Sequence, residues 1–241
     1  MTDGRGASAP RRRTMPLPRA FRPATPFGRA WRRLYEICYG GLEGFASLVL
    51  RPLFRVRHVG RVPALPRGGL LLCPNHQSYL DPAFVQLVVP RRVTFVMTND
   101  FYAVRSANWF FRLVGALPVG AGRQAFTSVR RACALLRLGA ALVVFPEGRL
   151  STDGSLQRGQ RGIAVLARRG RVPVIPVAIE GSLRAWGKGA KGPRRANVRL
   201  SLGPPVAWPG GPGGRDADQA FADRVMAAVA ELKARIPAAR P

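Results

Sequence analysis

The feature that most restricts this chain's fold is a recurring unit: a short, wholly apolar run followed by a turn and then a stretch with helical spacing. GLLLCP (69–74), ALVVF (141–145) and VPVIPVAI (172–179) are such runs. Each is too short for a core helix and too apolar for a half-solvated strand, so each reads as a strand buried on both faces. Helical stretches fall between them at 82–89, 108–114, 127–138 and 160–169, the third capped by Thr127 or Ser128 and the fourth ended by Gly170. Three more strands are expected, at 54–60 (alternating with period two), 92–97 and 198–202. Residues 203–214 are a Gly/Pro-rich linker to an amphipathic helix over 216–235, with Phe221, Val225, Val229 and Leu232 on one face. The alternation predicts an α/β fold, a mixed and largely parallel sheet flanked by helices. Pro176 lies inside the third run and points to an edge or a bulge there, because proline cannot donate to a ladder.

Ahead of this body the character changes twice. Residues 1–26 carry five prolines, several arginines and little that could form a core, and read as a disordered basic arm. In 27–53, Phe27, Trp31, Leu34, Tyr35 and Cys38 share a helical face with arginines between them. A second apolar piece follows Gly40–Gly41, so the segment reads as an amphipathic helical hairpin. Its mixture of Trp, Tyr and Arg suits a membrane interface, and a hairpin packed on the body is the alternative. The remaining 54–241 form the main domain.

Charge narrows the partners. The net charge is +27, and only 3 of the 39 basic residues are lysine. Part of that excess is surface filling, and part draws the chain to anionic partners such as a phospholipid surface, an acidic carrier protein or nucleotide phosphates. The arginines are scattered and no nucleic-acid motif appears, so a nucleic-acid partner is not expected. No stretch reaches the ~18 uncharged apolar residues of a spanning helix, and no secretory signal is visible. Three well-separated cysteines suggest a reducing compartment. The expected location is therefore peripheral, on the cytoplasmic face of a membrane.

The chemistry is concentrated at strand ends, where open α/β sheets gather ligands. CPNHQSYLDP (73–82) follows the first buried run and holds His76, one of only two histidines, with Asp81 five residues later. Asp81 or Ser78 caps the next helix and Pro82 stands at its first turn. The chain can fold back so that the carboxylate meets one imidazole nitrogen and leaves the other free to take a proton. A loop histidine beside a capping aspartate is the bland alternative. FPEGRLS (145–151) puts Glu147, Gly148 and Arg149 at a second strand end, where glycine permits close approach and Arg offers a fork for phosphate oxygens. His58 and His76 lack ligand-like spacing, so no metal is expected. Cys73 reads as a buried strand residue in preference to a nucleophile. Ser78 has no separate base and no G-x-S-x-G elbow.

NHQSYLD, FPEG and VPVIPVAI, in this order, resemble the glycerolipid acyltransferase family typified by 1-acylglycerol-3-phosphate acyltransferases, over roughly residues 54–202. The resemblance implies acyl transfer from a thioester, acyl-CoA or acyl carrier protein, to a lysophospholipid hydroxyl, with no cofactor beyond that co-substrate. It implies His76 as the general base with Asp81 as its partner, and Glu147 and Gly148 with the acceptor. Asn75, Ser78 and Pro176 belong to the motifs as supporting positions. The chain has Arg149 where the family commonly has Thr, and Leu150 where it has Arg. In GALPVGAGR (115–123), Ala121 stands near the family's acceptor arginine, and Arg123 is the expected substitute. The acceptor implied is 1-acylglycerol-3-phosphate, giving phosphatidic acid. Another lysolipid such as a lyso-aminolipid is the alternative within the class, and a non-catalytic basic lipid- or nucleic-acid-binding protein the alternative outside it.

Overall fold

The computed structural model describes residues 40–41, 44, 46–102, 108–109, 111, 114–120 and 123–237, with the backbone alone at 100, 101 and 123. The basic arm and the first half of the expected hairpin lie outside these residues. Gly40 and Gly41 are themselves helical, where the sequence suggested a break.

The described strands form one seven-stranded sheet: β1 (Arg57–His58), β2 (Leu70–Pro74), β3 (Val93–Thr98), β4 (Leu117–Val119), β5 (Ala141–Val143), β6 (Val174–Glu180) and β7 (Arg199–Leu202). Their order is β1-β7-β6-β2-β5-β3-β4. Neighbours run parallel except β6 and β7. The helices are α1 (46–54), α2 (Asp81–Val88), α3 (Asn99–Tyr102), α4 (Arg123–Arg137), α5 (Gly162–Gly170), α6 (Ser182–Trp186) and α7 (Arg215–Arg235). A mixed, mostly parallel sheet flanked by helices is thus what the apolar runs specify.

The pleat divides the core. Leu70 and Leu72 point to one face, into a cluster with Phe54, Phe84, Val85, Ile175, Val177 and Ile179. Leu71 and Cys73 point to the other, against Ile163, Ala164, Val174, Phe221 and Val225. All five residues of β2 are buried, and each fully buried Leu contributes about 1.5–3 kcal/mol. β2 lies between β5 and β6, so the turn that leaves it sits over the middle of the sheet.

Several expectations shift. The period-two stretch 54–60 yields a strand of only two residues, because α1 runs to Phe54 and Arg55 turns the chain at φ 42°. Pro176 is not on an edge: β6 is central, between β2 and β7. It is tolerated because antiparallel pairing with β7 ends at Val177↔Leu202, so the missing N–H falls just beyond the last rung, while its carbonyl accepts from Gly203 at 2.9 Å. Ser128 caps nothing. It lies inside α4, which starts at Arg123, and its hydroxyl donates to the Pro118 carbonyl at 3.3 Å. Gly170 is the last residue of α5 and the left-handed cap is Arg171, at φ 54°. No described helix is long and apolar enough to cross a membrane.

Candidate active site

Asn75 anchors the turn that follows β2. Pairing of β2 with β6 ends at Pro74↔Val177, and the buried Asn75 side chain continues it. Its Nδ2 donates to the Ile179 carbonyl at 3.0 Å and its Oδ1 accepts from the Ile179 amide at 2.7 Å, as a backbone peptide would. Further along the turn, the Ser78 hydroxyl donates to the Trp186 carbonyl at 3.1 Å and accepts from the Leu80 amide at 3.2 Å.

Asp81 does not cap α2. Leu80 occupies the cap position without a side-chain bond, and Asp81 is the first helical residue. Its carboxylate is turned back into the turn, where Oδ2 accepts from the amides of Gln77 at 2.7 Å and Ser78 at 2.8 Å and meets His76 Nδ1 at 3.0 Å. Asp81 is fully buried, whereas the His76 side chain keeps 19% exposure. A carboxylate only accepts, so the proton between them sits on Nδ1 and the lone pair of the neutral ring lies on Nε2. Nε2 makes no hydrogen bond among the described residues. Phe145 stacks on the imidazole with ring centroids 3.9 Å apart at 23°.

Glu147 comes from the end of β5. Its Oε1 accepts from the His76 amide at 3.2 Å, and the Ser151 amide donates to the His76 carbonyl at 2.8 Å. Glu147 is 3% exposed and its Oε2 is buried without a hydrogen bond. Burial foremost pushes its carboxyl up to about 7; the amides of His76 and Gln157 oppose this, the Asp81 charge adds to it and Lys233 subtracts. Gly148 takes φ +67°, a left-handed conformation that favours glycine, and a Cβ there would meet only the movable amide end of Gln160. Arg149 is exposed beside it and donates through Nε to Gln157 Oε1.

The fold therefore assembles Asn75, His76, Ser78, Asp81 and Glu147, with Gly148 and Arg149 at the surface. Pro176 lies in the sheet below, opposite Cys73. Arg123 opens α4, and its side chain lies outside the described residues, as does Ala121. Phe145, Gln77 and Ser151 were missed as site residues. They flank or fill the motifs, but only the assembled turn reveals their contacts. Cys73 is fully buried, and desolvation holds its thiol far above the usual range, which removes it as a nucleophile. No group of three or more His, Cys, Asp or Glu among the described residues is placed to hold a metal.

Residues 55–180 match the model of the acyltransferase family. The chain is 26% identical over 167 residues to a chloroplastic 1-acyl-sn-glycerol-3-phosphate acyltransferase of Arabidopsis thaliana, covering 67% of this chain and 46% of that one. It is 23% identical over 175 residues to the 1-acyl-sn-glycerol-3-phosphate acyltransferase of Bacillus subtilis, covering 72% and 82%. The chain thus spans about half the length of the plant relative and most of the bacterial one. The crystal structure of the 1-acyl-sn-glycerophosphate acyltransferase PlsC from Thermotoga maritima shares the fold, with a TM-score of 0.60 at 24% identity over 83% of this chain and 90% of that one.

Proposed function

This chain belongs to the acyltransferase family, and on that premise we propose that it moves a fatty acyl group from a thioester, acyl-CoA or acyl carrier protein, to the free hydroxyl of a lysophospholipid. The acceptor proposed is 1-acylglycerol-3-phosphate and the product phosphatidic acid. The single observation that carries this reading is the His76 ring, fixed by Asp81 through Nδ1 at 3.0 Å, with Nε2 unbonded on a partly exposed side chain.

An alcohol is a weak nucleophile at neutral pH. His76 Nε2 takes the hydroxyl proton as the oxygen attacks the thioester carbonyl, and the imidazolium is stabilised by the Asp81 carboxylate. Collapse of the tetrahedral intermediate expels the thiolate, which receives the proton, and the ester forms. No acyl-enzyme is needed. Arg149 supports an acceptor that carries phosphate, since its outer guanidinium nitrogens are free of hydrogen bonds among the described residues and stand beside Gly148 at the surface. The cationic chain supports work at an anionic membrane surface, at its cytoplasmic face.

Purified protein given radiolabelled acyl-CoA or acyl carrier protein with a panel of lysolipids tests the reading. Labelled phosphatidic acid, lost in a folded His76→Ala variant, is the expected result. Turnover confined to a lyso-aminolipid would redirect the acceptor, and a fully active His76→Ala would remove the mechanism.

A further inference from the structure

Lys233 lies near the end of α7, well beyond the residues that match the family model. Of the chain's three lysines, Lys188 and Lys191 are exposed and Lys233 is half-buried. Its Nζ donates to the Gly154 carbonyl at 2.5 Å and pairs with Glu180 Oε2 at 3.4 Å. The same carbonyl accepts from Gln77 Nε2 at 3.1 Å, and Gln77 is the residue after His76. The Gly154 amide in turn donates to Ser151 Oγ at 3.0 Å, and the Ser151 amide holds the His76 carbonyl at 2.8 Å. One connected run of hydrogen bonds therefore joins the last helix, the loop after FPEG and the turn that carries the imidazole.

We propose that Lys233 is a positioning residue for acyl transfer: by clamping the 151–155 loop against the 76–78 turn, it sets where the His76 ring stands relative to the acceptor hydroxyl. The inference rests on the acyl-transfer reading above. The ammonium also acts through charge. It lowers the Glu147 carboxyl, the least of the influences on a group that burial foremost raises. Without it, Glu147 holds its proton to higher pH.

The test assays the full chain, Lys233→Met, Lys233→Arg and His76→Ala between about pH 5.5 and 9, with the acyl donor the wild type uses. Lys233→Met is expected to lose roughly 10- to 100-fold in kcat with little change in KM for the donor. Lys233→Arg is expected to recover most of that loss. Amide exchange, measured below the melting temperature of either protein, is expected to quicken at 151–155 and 76–78 in Lys233→Met while the β2 and β6 amides stay protected. Wild-type kcat in Lys233→Met, or unchanged exchange at both segments, overturns the proposal. A fully active His76→Ala instead removes His76 as the base, and absence of acyl transfer by the wild type itself overturns the acyl-transfer reading, which keeps the failures distinct.

Discussion

At His76 the amide donates to Glu147, the carbonyl accepts from Ser151 and Nδ1 meets Asp81, which leaves Nε2 as the one polar atom without a partner among the described residues. Removal of the ring by His76→Ala should lower turnover by about 10²–10⁴, measured under saturating substrate. Asp81→Asn should cost both rate and about 1–3 kcal/mol of stability, because a buried carboxylate that accepts three donors loses its charge. Denaturant melts separate the two effects. Glu147 gives a pH signature. Its carboxyl is raised from 4.5 to about 7, so between those values the folded chain binds more protons than the unfolded one. Stability from this group is present below about pH 4.5, falls as pH rises and is gone above about 7. Glu147→Gln abolishes that slope, so its melting temperature should gain on the wild type from pH 5 to 8 by the equivalent of on the order of 2–3 kcal/mol.

Among the elements, the approach of α4 to β2 is set by a glycine. A Cβ at Gly69 would sit 2.0 Å from the Leu136 carbonyl oxygen, a backbone atom that cannot step aside. Gly69→Ala should therefore destabilise by about 1–3 kcal/mol, read from the shift in denaturation midpoint. The end of α5 offers the opposite change. Arg171 caps it at φ 54° and ψ 48°, with its amide bonded to the carbonyls of Ala167 and Arg168. A left-handed non-glycine residue costs about 1–2 kcal/mol, partly offset by the unfolded-state freedom of glycine. Arg171→Gly should raise stability by up to about 1 kcal/mol, checked by the same melts.

For the whole molecule, a charge of +27 should make binding to anionic vesicles strong at low salt and weaker as screening grows. Leu50 and Leu53 pack against the body and Arg51 Nη2 donates to the Leu87 carbonyl at 2.6 Å, so the cut that tests the anchor belongs before α1. Residues 1–39 hold nine arginines and two acids, so the trimmed chain stays strongly cationic and should release from vesicles at lower salt than the full chain; an unchanged salt dependence would put the anchor elsewhere. By itself, the sequence determined what is local. Apolar runs dictated the buried strands, helical spacing dictated most helices, and a five-residue separation let the His76–Asp81 pair close within one turn, where little chain freedom has to be lost. Element ends were less legible, because Ser128 and Gly170 carry the signatures of caps yet serve packing inside helices. Tertiary structure alone decided which strand ends meet. Glu147 reaches His76 across 71 residues and Asn75 reaches Ile179 across 104, contacts that exist only because β2 lies between β5 and β6. The same order makes Pro176 central. Crossover connections leave strand order open in the sequence, and only mutual burial of both sheet faces selects one arrangement and the hydrogen bonds it permits.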